Sequence, residues 1–317
     1  MGSRAAGEYP PVPEALPFPV VDTHTHLDIC VGARGPLRAG EPAPEVVPAE
    51  DESFPPLSFF HDTAQAAGVT RIVQIGCEMG AARWTAEIVA AEAASGRDWM
   101  LGGAAIHPNE APRLAAAGVL EDSLTEIEQL CRSERMRVVG ETGLDWFRLD
   151  EAQVNGVAVP AERARVWQEE SFRAHIEIAK RLGLALEIHD REAHADVLRV
   201  LRDAGAPERT VFHCFSGDAA LARECAERGY FMSFAGNITF KNASGLREAA
   251  ALVPPELLLT ETDAPFLTPH PHRGRPGGPY LTAVTARKLA EVRGEELADL
   301  CEQVTANAET VFGPWNL

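Results

Sequence analysis

Short apolar runs alternate with helical patterns along most of the chain, and this alternation constrains the fold more than any other feature of the sequence. Eight runs have the length and residue types of buried strands, and each is followed by a helical pattern. The runs span residues 20–27, 71–76, 99–108, 137–146, 184–191, 210–217, 230–236 and 257–265. Because strands that alternate with helices pair in parallel, we predict an α/β fold, a single-domain (β/α)8 TIM barrel. A doubly wound open sheet is the alternative.

The length of the chain suits one large domain. A (β/α)8 barrel commonly takes more than ~250 residues, and this chain has 317. The proline-rich residues 1–18 predict an extended N-terminal arm, and residues 19–317 predict the barrel domain. Residues 32–56 are rich in Pro, Gly and Glu and predict a long loop.

Charge and cysteine pattern limit the partners and the compartment. The formal net charge of −18 opposes nonspecific attraction to phosphate backbones, so nucleic-acid binding requires a local basic patch or a metal site. The six cysteines form no CxxC pair, which argues against a zinc knuckle and predicts reduced thiols. No run approaches the ~20 apolar residues that cross a bilayer, and no apolar secretory signal precedes the prolines. We therefore expect a cytoplasmic protein with no membrane partner.

Two histidines separated by one residue end the first apolar run. Alternate side chains of a strand share a face, so His24 and His26 can reach one metal ion together. Further residues with metal-ligand side chains follow later runs, at the barrel end that carries the chemistry in such enzymes. These residues are His107, Glu141, His189, His213 and Asp263. Their nitrogen and oxygen donors suit zinc, manganese or magnesium.

Each of these residues also has a purely structural interpretation. His107 and His189 can be hydrogen-bonded core residues, and His213 and Asp263 can cap the helices that follow them. Glu141 lies in a run of Val and Gly, where an unpaired inward charge is costly. Because so many chance placements at the same barrel end are improbable, the sequence favours a metal site.

Seven motifs in order along the chain carry a resemblance to a known family. They are VDTHTHLD (21–28), GAAIHPNE (103–110), VVGETGLDW (138–146), EIHDREAH (187–194), HCFSG (213–217), SFAGNITFK (233–241) and LLLTETDAPFL followed by HRGR (257–275). The sequence resembles the TatD family of metal-dependent hydrolases, mostly known as deoxyribonucleases, within the amidohydrolase-like barrels. The resemblance covers the chain from about residue 20 to its end.

The resemblance implies a site with two divalent metal ions, which are Mg, Mn or Zn. It assigns His24, His26 and Asp263 to one ion and His189 and His213 to the other, with Glu141 bridging them. Asp263 is then the general base, and Glu141 and Asp263 are the catalytic residues. The reaction it implies is cleavage of phosphodiester bonds from a DNA end, with DNA, single-stranded or at a strand end, as the partner.

Substrate contacts are also implied by family motifs. His107, Arg191 and Arg273 lie in such motifs and are expected to bind a phosphate, since arginine matches phosphate oxygens with two hydrogen bonds. Arg275 and Lys241 are weaker candidates. Cys214 is expected to line the pocket. A nucleophilic role is not expected for it, because the sequence indicates no base that would activate its thiol.

The sequence departs from the family pattern in two places. Gly277, Gly278 and Pro279 precede Tyr280, where the family usually has Asn-x-Pro. The loop at residues 32–56 is longer than usual and acidic, and we expect it to overhang the catalytic face and to favour a single-stranded end or a small substrate over continuous duplex.

Two other classes of function remain open at this stage. The same metal site can support an amidohydrolase-like hydrolase of a carboxylic ester, amide or lactone, which the acidic composition suits. A non-catalytic metal-binding scaffold is disfavoured, because all six ligand residues and a candidate base are present. Arg191 and Arg273 favour phosphate over the neutral substrates.

Overall fold

Eight parallel strands form one nearly closed sheet in the structure, a computed structural model that describes residues 7–33, 54–149, 153–154 and 157–315. Neighbouring strands of this sheet follow one another in chain order, and a bridge between Thr25 and Ala264 links the first strand to the segment after the last. The strands are β1 Val20–Thr25, β2 Val69–Gly76, β3 Met100–Ala104, β4 Met136–Asp145, β7 Ala185–Arg191, β8 Thr210–Phe212, β9 Phe231–Phe234 and β10 Leu258–Thr260. The predicted single-domain TIM barrel is confirmed.

Helices follow the strands and cover the outside of the barrel. They are α1 Leu27–Cys30, α2 Leu57–Ala67, α3 Met79–Ala94, α4 Ala111–Ala116, α5 Leu120–Leu130, α6 Ala161–Leu182, α7 His194–Ala204, α8 Ala219–Glu227, α9 Ser244–Leu252, α10 Thr282–Arg293 and α11 Leu297–Phe312. A small hairpin pairs β5 Gln153–Val154 with β6 Val157–Ala158. Within the described residues, no helix combines the length and the apolar character that crossing a membrane requires.

Two apolar layers separate the barrel interior from the helices. The larger core packs helices against the outer face of the sheet. Every barrel strand also contributes to a second cluster, which includes Val21, Val138, Ala185 and Leu259 and fills the barrel interior. The end of α11 and Trp315 belong to this inner cluster and close the N-terminal end of the barrel. Polar side chains are therefore left to the other end, where the strands terminate.

Most of the predicted elements are found, with some differences. The sequence predicted neither the short helix α4 nor the β5–β6 hairpin. In the predicted N-terminal arm, residues 7–18 form neither a helix nor a strand, and Pro10 O accepts a 2.7 Å hydrogen bond from Tyr280 Oη. Residues 34–53, which make up most of the predicted long loop, lie outside the described residues, so its position over the catalytic face stays a prediction.

A buried histidine in α6 makes stability depend on pH. His175 Nδ1 donates to Ser171 O at 2.7 Å and Nε2 accepts from Ile106 N at 3.1 Å, while burial lowers its pKa from 6.5 to about 4. Below pH 6.5 the unfolded chain therefore takes up a proton that the folded chain refuses until about pH 4. We expect this residue alone to cost roughly 3 kcal/mol of unfolding free energy across that interval.

Urea denaturation at pH 7 and pH 4.5 measures this effect against His175→Gln, which retains an acceptor for Ile106 N and does not titrate. The wild-type protein should lose more stability on acidification than the variant does. Equal losses in the two proteins would contradict the assignment.

Candidate metal centre

The structure brings all six predicted ligand residues to the C-terminal end of the barrel. His24 ends β1 together with Thr25, and His26 follows directly; Glu141 lies in β4 and His189 in β7. His213 follows β8, and Asp263 lies three residues beyond β10. His24, His26, Glu141 and His213 are buried. The site is thus assembled from five strands whose ends meet.

A first group of donor atoms surrounds the two histidines of β1. The Nε2 atoms of His24 and His26 lie 3.1 Å apart, and Asp263 Oδ1 lies 3.8 Å from the first and 3.4 Å from the second. Glu141 Oε1 lies 3.9 Å from His26 Nε2. Asp263 is held beside this pair because its backbone N–H donates to His24 O at 3.0 Å.

A second group of donor atoms shares Glu141 with the first. His189 Nδ1 lies 3.2 Å from Glu141 Oε2, and His213 Nε2 contacts the same oxygen. The rings of His213 and His24 stack with their centroids 3.9 Å apart, which places the two groups side by side. Glu141 therefore directs Oε1 at one group and Oε2 at the other, the position of a bridging ligand.

The other ring nitrogen of each of these four histidines faces an oxygen acceptor. His24 Nδ1 lies 3.3 Å from Glu187 Oε2, and His26 Nδ1 lies 3.0 Å from Ile75 O. The remaining pairs are His213 Nδ1 with Glu261 Oε1 at 3.2 Å and His189 Nε2 with Asp145 Oδ2 at 3.3 Å. A proton on each of these nitrogens leaves the opposite lone pair directed at the shared space.

This arrangement fits divalent cations. Four imidazole lone pairs and the oxygens of Glu141 and Asp263 converge on one small volume, and mutual repulsion among such acceptors is relieved by a cation. Donor atoms of His24, His26 and Glu141 all lie within 4.8 Å of one another. Mixed nitrogen and oxygen donors are the types that zinc and manganese accept.

Electrostatics in the site favour an ionised bridge. Burial opposes the charge on Glu141, but the neighbouring His213 and His107 hold its pKa well below the usual range. Burial raises the pKa of Glu187 well above the usual range, so a cation bound nearby would stabilise its carboxylate form.

Irregular strand geometry places Glu141. Val138 faces the barrel interior, so strict alternation along β4 would turn Glu141 outward. The β4–β7 register shifts between Val139 and Thr142, and this shift lets Glu141 point inward. Gly143 then pairs with His189 at φ 134°, and a Cβ there would lie 2.2 Å from His189 O. Only glycine allows this close approach of β4 to β7, which brings Glu141 and His189 together.

Four residues near the site were missed from the sequence. Asp145 and Glu261 form hydrogen bonds with histidines, and Glu187 lies 3.3 Å from His24 Nδ1. Each lies an even number of residues from a predicted ligand of the same segment, so strand alternation was the available signal. The fourth is Cys77, directly after β2, whose thiol donates to Glu141 Oε1 at 3.3 Å. Burial raises the pKa of Cys77, which keeps this donor protonated.

His107 differs from the other four histidines in its hydrogen bonding. Its Nδ1 accepts a 3.0 Å hydrogen bond from the backbone N–H of Asn109. A backbone N–H can only donate, so neutral His107 carries its proton on Nε2. That nitrogen lies 3.6 Å from Glu141 Oε1. His107 therefore presents an N–H donor to the site, and its geometry disfavours a ligand role.

The predicted arginine contacts lie outside the donor cluster. Arg191 stacks on Phe147, with the guanidinium carbon 3.8 Å from the ring centroid, and Arg273 stacks on Phe240 at 3.9 Å. Of the two weaker candidates, Arg275 lies 3.5 Å from Glu8 and Lys241 is exposed. Cys214 follows His213 and accepts a long 4.0 Å contact from Asn237 Nδ2.

Fold and donor cluster together define an α/β-barrel metal-dependent hydrolase. The sequence profile of the family described as "TatD related DNase" matches residues 21–313. An uncharacterised metal-dependent hydrolase TatD of Mycobacterium tuberculosis is 39% identical over 93% of this chain and 98% of its own length. The uncharacterised hydrolase YabD of Bacillus subtilis is 32% identical over 79% of this chain and 90% of its own.

Solved structures agree with these sequence matches. The crystal structure of YJJV, a TatD homologue from Escherichia coli, superposes with a TM-score of 0.70 at 26% identity and covers 93% of this chain and 98% of its own. A TatD family hydrolase from Entamoeba histolytica has the same fold, with a TM-score of 0.72 at 17% identity over 95% of this chain and 100% of its own. This chain belongs to the TatD family of metal-dependent hydrolases.

Proposed function

We propose that this protein is a deoxyribonuclease that cleaves phosphodiester bonds at a DNA end with the help of two divalent ions. The observation that carries the proposal is the shared carboxylate: Glu141 directs one oxygen at the group with His26 and the other at His189 and His213. His24, His26 and Asp263 would hold one ion, and His189 and His213 the other. When bound, such ions would supply Lewis-acid charge to a phosphoryl group and would acidify a water molecule.

The protein's own residues then perform three tasks. Asp263 lies against the first group and accepts the proton of the attacking water as general base. His107 donates from Nε2 to a phosphoryl oxygen, where negative charge grows in the transition state. Arg191, two residues beyond His189, and Arg273 bind phosphate oxygens next to the scissile bond.

Hydrolysis of a carboxylic ester, amide or lactone is the competing function, and the net charge of −18 favours it. The test is a metal titration of the chelated protein with 3′-labelled single-stranded DNA beside a panel of esters and lactones. We expect shortened DNA products that depend on added Mg, Mn or Zn and are absent with Glu141→Ala. Intact DNA together with cleavage of an ester would overturn the nuclease assignment.

His107 should act through its N–H and leave metal content unchanged. His107→Phe is expected to lower kcat/KM on DNA by roughly 10- to 100-fold, because a donor to the transition state is lost. His107→Gln places an amide N–H near the position of Nε2 and should recover part of that loss. Metal content measured by inductively coupled plasma mass spectrometry should equal wild type in both variants, and loss of an ion from His107→Phe would make His107 a ligand instead.

A further inference from the structure

Three arginines stack on three aromatic rings beside the metal centre. Arg163 lies 4.6 Å from the ring centroid of Trp167, and Arg165 lies 4.8 Å from that of Trp146. Arg191 covers Phe147 in the same way. We call this set the Arg–aromatic surface, and it comprises Trp146, Phe147, Arg163, Arg165, Trp167 and Arg191.

The Arg–aromatic surface is continuous and adjoins the donor cluster. Trp146 and Trp167 both pack against one small apolar cluster of Leu149, Val159 and Ala164. Trp146 N donates to Arg191 O at 2.9 Å, which joins the end of β4 to the end of β7. Asp145, directly before Trp146, contacts His189 of the second donor group. A chain lying on this surface therefore leads straight to Glu141 and His189.

The arginines of this surface form no ion pair with the residues that the structure describes, although the chain is strongly acidic. Among the residues that the structure describes, no carboxylate oxygen lies within 4.0 Å of the guanidinium groups of Arg163, Arg165 or Arg191, whereas Arg199 nearby pairs with both Glu169 and Asp196. Asp196 also accepts the Trp146 indole N–H at 3.1 Å. None of the described carboxylates therefore neutralises these three positive charges by direct contact.

The Arg–aromatic surface exposes both an aromatic ring and positively charged groups, which suits a ligand that has flat rings and negative charge. Phe147 is 53% exposed although it is a large apolar side chain, and Arg163 and Arg165 are exposed. An arginine stacked on a ring keeps its N–H edges free for phosphate oxygens. Aromatic faces next to cationic groups are the means by which proteins hold single strands without reading their sequence.

We propose that the Arg–aromatic surface binds the single-stranded DNA segment next to the nucleotide that is cleaved. Arg163, Arg165 and Arg191 contact successive phosphates, and Phe147 stacks on a base. This inference rests on the proposed deoxyribonuclease function, and it adds that the enzyme grips several nucleotides beyond the scissile bond. A duplex would hide the bases from Phe147, so the surface selects unpaired strands.

The test compares a long and a short substrate in the double variant Arg163→Ala/Arg165→Ala. On an oligothymidylate of about 12 nucleotides, kcat/KM should fall roughly tenfold, and the slope of log kcat/KM against log salt should flatten by about 1.4, since each single-strand phosphate contact contributes about 0.7. On the dinucleotide dTpdT, kcat/KM should stay at the wild-type value. Phe147→Ala should also lower kcat/KM on the long strand and leave it unchanged on dTpdT. Phe147→Trp, which keeps an aromatic ring, should lower kcat/KM on neither substrate.

A matched control removes the same charge elsewhere. Arg202→Ala/Arg228→Ala changes two arginines near the C-terminal ends of α7 and α8, away from the catalytic end, and should leave both substrates unaffected. The proposed role of the surface would be overturned if kcat/KM on the long strand fell equally in the two double variants. It would also be overturned if Arg163→Ala/Arg165→Ala lowered kcat/KM equally on dTpdT and on the long strand.

Equilibrium binding separates failure of the surface from failure of the proposed function. Fluorescence anisotropy with labelled oligothymidylate in the Glu141→Gln background measures binding without cleavage. We expect Arg163→Ala/Arg165→Ala to weaken binding roughly tenfold in that background. If the Glu141→Gln protein binds the strand equally with and without the arginines, the surface is wrong whether or not DNA is cleaved. A wild-type enzyme that binds through the surface but cleaves only esters overturns the proposed function alone.

Discussion

Replacing Glu141 with glutamine is expected to abolish hydrolysis and to reduce the number of divalent ions bound. Glu141 faces both donor groups, with contacts to His26, His189 and His213. Glutamine has nearly the same shape but offers one neutral oxygen, so it cannot bridge two cations as a carboxylate does. We expect kcat to fall on the order of 10³-fold or more, since most of the charge stabilisation depends on the ions.

Metal content and kcat on single-stranded DNA measure this effect together. Glu170→Gln, a change of the same chemistry at an exposed position of α6, serves as the control and should match wild type in both. A Glu141→Gln protein that keeps two ions and wild-type kcat would remove Glu141 from the mechanism.

Asp263→Asn is expected to lower kcat by about 10²- to 10⁴-fold while metal content changes little. Asparagine retains an oxygen toward His24 and His26 but cannot accept a proton from water at neutral pH. The substitution also suits the backbone, because Asp263 has φ 56°, a left-handed conformation that asparagine tolerates well. The loss of rate therefore reports on the carboxylate rather than on refolding of the loop.

Single-turnover rates and metal content distinguish the two roles assigned to Asp263. Asp263→Ala should lose both rate and metal, because it removes the ligand as well as the base. If Asp263→Asn keeps the wild-type single-turnover rate, Asp263 is not the general base.

Strand periodicity predicted the barrel, and the polar residues at the ends of the predicted strands supplied the candidates for its donor cluster. Eight apolar runs predicted eight parallel strands. Because the C-terminal ends of such strands lie at the same end of the barrel, residues as far apart in sequence as His24 and Asp263 could be expected to lie close together. The short elements α4 and β5–β6 carry too few residues for a periodic pattern, and they were missed.

Alternation alone could not predict how Glu141 reaches the site. Counting by twos from Val138 places Gly140 inward and Glu141 among the helices, and the register shift in β4 reverses that assignment. Such a shift depends on how β4 pairs with β7, which the local sequence does not encode.

Contacts between side chains from different segments of the barrel could not be predicted from the sequence either. Glu187 of β7 faces His24 of β1, and Glu261, directly after β10, faces His213, directly after β8. The proton position of His107 depends on the backbone of Asn109, a turn contact that residue types do not reveal. Strand spacing therefore located candidate ligands, whereas the orientation of each ring required coordinates.

Anomalous scattering from crystals of the protein grown with Mn²⁺ tests the central claim most directly. The account predicts two peaks, one bonded to His24 Nε2, His26 Nε2 and Asp263 and the other to His189 Nδ1 and His213 Nε2, with Glu141 bridging them. A single peak, or peaks that leave Glu141 without a bond to metal, would contradict it.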